Sequence, residues 1–186
     1  MEIQASRIGA RLNLAGEPVP LLEQNRGRWD RLLIRRGFTA LLRAQALLAQ
    51  RPASLAERPG GLPGPYVLQA AIAACHAHAP APADTDWDQI VLLYQALAAL
   101  TPSPVVELNR AVAVAMRDGP AAGLALIDAI LARGELAEYH LAHAARADLL
   151  RRLGRRDDAC TAYERALELV RQEPERRFLL KRLSQL

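Results

Sequence analysis

Residues 144–169 read AARADLLRRLGRRDDACTAYERALEL. Leu153-Gly154 closes one helical pattern, and Ala159, Tyr163, Ala166 and Leu167 mark the face of the next. A glycine at that point permits the positive dihedral that ends a helix. Ala159 and Ala166 are small, so the second helix can approach the first closely, and Tyr163 fills the space toward a neighbour. The spacing therefore predicts two antiparallel helices in a hairpin, built to stack on another hairpin.

The same intervals match a tetratricopeptide-type unit. Gly119 stands 35 residues before Gly154, again between two helical stretches. That earlier copy, around 105–132, has Leu124 where the alanine is expected. The Trp87–Tyr94 spacing resembles the opening of a more degenerate unit. The expected fold is all-α, with antiparallel helix hairpins stacked as a tetratricopeptide-like right-handed solenoid. An ordinary helical bundle with coincidental spacing is the alternative.

Composition agrees with helix. Alanine contributes 36 and leucine 32 of the 186 residues, and both are strong helix formers. The chain is 51% hydrophobic and 24% charged, too apolar for a disordered segment. No run approaches the roughly 18 apolar residues of a membrane helix, and no secretion signal is visible. Two cysteines, Cys75 and Cys160, make no disulfide framework. A soluble, cytoplasmic protein with no membrane association is expected. Of the 24 basic residues only Lys181 is a lysine, a bias that reflects a GC-rich coding source rather than phosphate binding.

Charge is unevenly spread. Residues 1–58 carry ten arginines against five acids, and residues 59–109 carry four acids and no base. Residues 151–186 carry ten bases against six acids. Basic ends can face nucleic acid, but no aromatic residues interleave with them, and Arg151, Arg152, Arg155 and Arg156 suit a helix end and its turn.

Along the chain, 2–12 read as a helix end, and 13–20 as turn chemistry or a short extended arm. Asn25 is expected to cap a long or broken helix beginning near Arg26, with Gly37 a weak point in it. Prolines and glycines crowd 52–64 and suggest a boundary. The expected organisation is an N-terminal docking or linker segment, 1–58, and a tetratricopeptide-like helical domain, 59–186. Within the latter, helices are expected near 66–77, from a Thr85 cap with Asp88 reaching back, and over 104–116, 120–132, 136–153, 156–172 and 174–185.

Chemistry is sparse. His140 and His143 share one helical face, but no cysteine or carboxylate accompanies them with ligand spacing, so no metal and no cofactor is expected. Cys75 and His76 are sequence neighbours and point in different directions on a helix, a poor nucleophile–base pair. There is no phosphate loop, dinucleotide fingerprint or nucleophile elbow. No catalytic residue is assigned, and the chain is not expected to be an enzyme.

Longer strings carry a resemblance. They include Glu23-Gln24-Asn25 with Arg28-Trp29-Asp30, Gly64 to His76 (GPYVLQAAIAACH), and Thr85-Asp86-Trp87. They continue with Leu100 to Val106 (LTPSPVV), Leu108 to Ala113 (LNRAVA), Asp118 to Leu124 (DGPAAGL), Tyr139-His140, Ala144 to Leu150 (AARADLL) and Glu173 to Leu179 (EPERRFL). This set resembles the C-terminal extension of bacterial extracytoplasmic-function sigma factors that carry a tetratricopeptide-like tail, over nearly the whole chain. The promoter-melting and helix-turn-helix domains of that family have no counterpart here, so none of its DNA-contacting residues transfers.

The resemblance implies a regulatory interaction module whose partners are its own sigma domains or the RNA polymerase core. DNA would be reached only through the missing domains. A homodimer is allowed by exposed solenoid ends. Candidate partner-binding residues are Arg28, Trp29, Tyr66, Gln69, Asn109, Arg110, Tyr139 and Arg146, of which Trp29, Tyr66 and Tyr139 also suit core packing. The alternatives are a free-standing helical-repeat scaffold and a small-ligand or enzymatic groove using His140 and His143.

Overall fold

The structure, a computed structural model, describes residues 2–50 and 63–186. The described residues are helical with no strand, and the chain divides into two compact units. Unit 1 holds Met1–Leu12 and Val19–Pro102, and unit 2 holds Asn13–Pro18 and Ser103–Leu186. The division of the packing falls at Pro102/Ser103, whereas the boundary expected at 58/59 lies among residues 51–62, outside the described residues.

Unit 1 contains α1 (Glu2–Ala5), α2 (Arg31–Ala49), α3 (Pro65–His78) and α4 (Trp87–Leu100), with single 3₁₀ turns at Ile8–Ala10, Leu21–Glu23, Arg26–Arg28 and Pro82–Asp84. The extent of unit 1 has a packing cause. Ile3, Leu41, Ala73 and Ala74 form one core, so α3 is tied to α1 and α2 as well as to α4. A second core joins Ala10, Trp29 and Ile34 with Phe38 and Ala77.

Three local expectations change. Asn25 caps only the 3₁₀ turn, accepting from the Gly27 N–H at 2.9 Å. Asp30 caps α2, accepting from the N–H groups of Leu32 at 2.8 Å and Leu33 at 3.0 Å. Asp86, not Thr85, caps α4, accepting from the Gln89 N–H at 2.8 Å. Gly37 is no weak point. A Cβ there would overlap Ile3 Cγ1 and lie 3.2 Å from the Ile3 nitrogen, so the glycine is where α1 settles on an unbroken α2.

Unit 2 contains α5 (Pro104–Asp118), α6 (Pro120–Ala132), α7 (His140–Arg152), α8 (Arg156–Leu169) and α9 (Glu173–Leu183). Helices α5 with α6, and α7 with α8, form hairpins; α7 also packs on α6 and α9 on α8. One core runs through all five, from Leu108 to Leu179. Gly154 takes φ +73° as expected. The Arg155 N–H returns to the Leu150 carbonyl and the Gly154 N–H to that of Arg151, both at 3.0 Å, a Schellman stop that turns the chain into α8.

The two hairpins correspond at an interval of 36 rather than 35. Ala111 matches Ala147, Gly123 matches Ala159, Ile127 matches Tyr163 and Ile130 matches Ala166, all of them buried. The small position of the first hairpin is thus Gly123, one residue before Leu124. Among the described residues no helix is long and apolar enough to cross a membrane.

Candidate functional site

Two places collect polar side chains with unusual surroundings, one in each unit. In unit 1 the 3₁₀ turn at Arg26–Arg28 brings Arg26 beneath the end of α3. Its guanidinium donates to the carbonyls of His76 and of Ala79, the latter at 2.6 Å, and reaches Thr85 Oγ1 at 3.4 Å. The last carbonyls of a helix have no partner within the helix, so one side chain supplies what α3 lacks.

Arg26 also lies 5.1 Å from the centre of the Trp29 ring, and Arg7 lies 5.8 Å from the same ring. Cations within about 6 Å of an indole face are attracted by its quadrupole. The His76 imidazole meets the Trp87 ring edge-on, with centroids 5.3 Å apart. Three buried polar atoms in this cluster have no hydrogen-bond partner: Arg26 Nε, Trp29 Nε1 and His76 Nδ1.

Burial, aided by the charges of Arg7 and Arg26, holds the His76 imidazole down at about 4 from its usual 6.5. The sign of the linkage follows. As pH falls, unfolded His76 gains its proton near 6.5, whereas the folded imidazole waits until about 4. Stability is therefore lost between those values, by roughly 3 kcal/mol in all. Urea midpoints at pH 7 and pH 4.5 should differ accordingly, and His76→Gln should reduce the difference.

In unit 2 the repeat sets matching residues on the first helix of each hairpin. Val105 corresponds to Leu141 and Arg110 to Arg146. Val105 and Leu141 are exposed, at 38% and 45%. The two arginines differ in their partners. Arg146 Nε donates to Asp128 at 2.6 Å. Arg110 has no ion pair among the described residues, and its Nε is buried without a partner. Asn109 beside it is exposed.

The remaining candidates scatter. Arg28, Tyr66 and Gln69 are exposed in unit 1. Trp29 is only 3% exposed and presents nothing to a partner, because its ring completes a core with Ala10 and Ile34. Tyr139 is half-buried against the unit 2 core. Tyr66 and Gln69 lie three apart on the exposed side of α3, whereas Asn109 and Arg110 are sequence neighbours on α5, one exposed and the other half-buried. Residues the sequence did not mark as partner-binding (Arg7, Arg26, His76 and Thr85) meet across some 80 positions. The only local signal was Arg26 lying three residues before Trp29.

Groups suited to chemistry are otherwise engaged. His140 Nε2 lies 3.0 Å from Glu175, close enough for an ion pair but without hydrogen-bond geometry. His143 Nε2 lies 2.8 Å from the Ala137 carbonyl, so the two imidazoles face different partners. The Cys75 thiol donates to Gln89 Oε1 at 2.9 Å, and burial with the Asp86 charge pushes it up to about 11. A thiol so protonated at neutral pH is a poor nucleophile.

Comparison with known proteins agrees with the helical repeat. Residues 142–177 match a tetratricopeptide repeat, spanning α7, α8 and the start of α9. Residues 1–45 match a family of unknown function, DUF6596. The chain is 42% identical over 184 residues to an uncharacterized protein, R00370, of Rhizobium meliloti (strain 1021). That alignment takes in 99% of this chain and 40% of the relative, so the chain spans about two fifths of its length. No solved structure matches the chain.

Proposed function

We propose that the chain is a protein-binding regulatory extension of a bacterial extracytoplasmic-function sigma factor. It works in the cytoplasm and contacts its own sigma domains or the polymerase core. In this reading it is not an enzyme and touches promoter DNA only through domains supplied by the rest of the factor. Contact with the tail biases the whole factor between two arrangements, so promoter binding depends on which surface unit 2 has engaged.

The observation that carries the reading is the repeat. Stacked helix hairpins usually recognise protein surfaces, and the α5–α8 pair presents an exposed apolar side chain on each first helix. Arg110 lies on the same helix as Val105, and its counterpart Arg146 is already paired with Asp128. An arginine fork without an internal carboxylate suits a carboxylate on a partner. The sigma-factor identity is supported by the strings from Glu23 to Leu179 that resemble such extensions.

The test is calorimetry of the 186-residue chain against the separately produced sigma domains and polymerase core. Binding to one of them is expected, with the double substitution Asn109→Ala, Arg110→Ala weakening it at least about tenfold and leaving the melting midpoint within a degree or two. Absence of binding to both would remove the sigma-factor assignment. Unchanged affinity in the double variant would remove the α5 surface from the interface.

A further inference from the structure

We propose that the cluster around Trp29 in unit 1 is a binding site for a doubly charged oxyanion, a phosphate group, held by Arg7, Arg26 and the Trp29 indole N–H. This site lies outside the tetratricopeptide match and does not depend on the sigma-factor reading.

Charge is the first argument. Arg7 and Arg26 stand on the same indole ring at 5.8 and 5.1 Å. Arg11 joins them, donating to the Gln4 carbonyl at 3.1 Å. Among the described residues none of the three arginines has a carboxylate within ion-pair distance. Arg7 donates to the amide oxygen of Gln4, and Arg26 to carbonyl oxygens, so neither positive charge is neutralised by its own contacts. Asp84 acts on Arg26 only at longer range, and Tyr94, held protonated by burial, lends Arg7 no charge at neutral pH. Half-buried like charges gathered without a counter-ion are costly, and a dianion offsets them better than a monoanion.

Unsatisfied polar atoms are the second argument, and they are independent of the first. Trp29 is 3% exposed and His76 8%, yet Nε1 of the one and Nδ1 of the other lack partners. Buried polar groups are almost always hydrogen-bonded, and two orphans beside two uncompensated arginines point to one missing acceptor. Phosphate has the oxygens for it. Arginine forks bind phosphate in paired hydrogen bonds, and the indole N–H adds a neutral donor. Exposure falls from Arg11 through half-buried Arg7 and Arg26 to His76 and Trp29, so the cluster opens to solvent at its arginine side.

Thermal unfolding of the full chain, titrated with phosphate at constant ionic strength, tests the proposal. Anything that binds the folded state raises the midpoint with concentration. A saturable rise is expected with inorganic phosphate and not with acetate. Arg7→Gln, which leaves the α3 clamp intact, should weaken the apparent affinity at least about tenfold. Trp29→Phe keeps an aromatic ring at the site and deletes the indole donor; it should also weaken binding. A merely structural Trp29 would leave phosphate affinity untouched. Methyl phosphate distinguishes the source: tighter binding than inorganic phosphate assigns the site to an esterified phosphate, weaker binding to the free anion. A rise reproduced by sodium chloride of equal ionic strength, or equal in wild type and both variants, overturns the site.

Discussion

Gly123→Val should cost unit 2 roughly 3 kcal/mol and lower its melting midpoint by several degrees. The reason is the approach of α6 to α5. A Cβ on residue 123 would overlap that of Ala115 and come within 2.6 Å of the Ala111 carbonyl oxygen. Both obstacles belong to the facing helix: one is backbone, and the other is a methyl with no rotamer to take. The helices must therefore separate, opening the core they share with Ile127 and Ile130. Gly123→Ala makes the comparison sharper. In an exposed helix that change would gain about 1 kcal/mol of helix propensity. Here it should lose stability, by about 1 kcal/mol net, because overpacking of this kind costs about 1–3 kcal/mol. Both tryptophans lie in unit 1, so far-UV circular dichroism is the readout. An alanine variant as stable as the wild type would show that α5 and α6 have room to spare.

The same glycine shows what the sequence could and could not tell. The second hairpin was legible because Gly154, Ala159, Tyr163 and Ala166 each do one job at one interval. The first was misaligned by one residue, since Gly119 is followed at once by Pro120 in α6, while Gly154 is followed by Arg155 before α8 begins. Counting from the turn glycine therefore lands on Leu124, and counting back from the buried Ile127 and Ile130 lands on Gly123.

Helix caps were half legible for a similar reason. Asn25 and Asp30, or Thr85 and Asp86, are chemically interchangeable caps, and the choice between them is made by tertiary contacts. Thr85 is taken by Arg26, and Asp86 is left to cap α4. The division at Pro102/Ser103 carries no distinguishing mark in the sequence, because it is set by which helices share a core rather than by local turn residues. The Trp29 cluster was not legible at all. Its members are drawn from the turn after α1, a 3₁₀ turn, α3 and the start of α4, and no local pattern encodes a meeting of that kind.

Arg26→Ala should be the most damaging single change in unit 1, at roughly 3–5 kcal/mol. Three groups depend on its guanidinium: the carbonyls of His76 and Ala79 and the Thr85 hydroxyl, which is 6% exposed. Charged hydrogen bonds contribute about 1.5–3 kcal/mol each, and a buried acceptor left unpaired costs about 1–3 kcal/mol. The three losses share one donor, so they do not add in full. Arg26→Lys isolates the cause. It keeps a positive charge near the end of α3 and loses the planar fork that reaches two carbonyls and a hydroxyl together. If the fork matters, lysine should recover less than half of the lost stability; if charge alone matters, it should recover nearly all. Tryptophan emission reads the outcome directly, because Trp29 and Trp87 border the clamp through Arg26 and His76. Arg26 is among the charges that hold His76 down, so in a folded Arg26→Ala or Arg26→Met chain the imidazole should titrate above about 4, as nitrogen-15 chemical shifts would show. Part of the acid sensitivity of unit 1 would then disappear along with its stability.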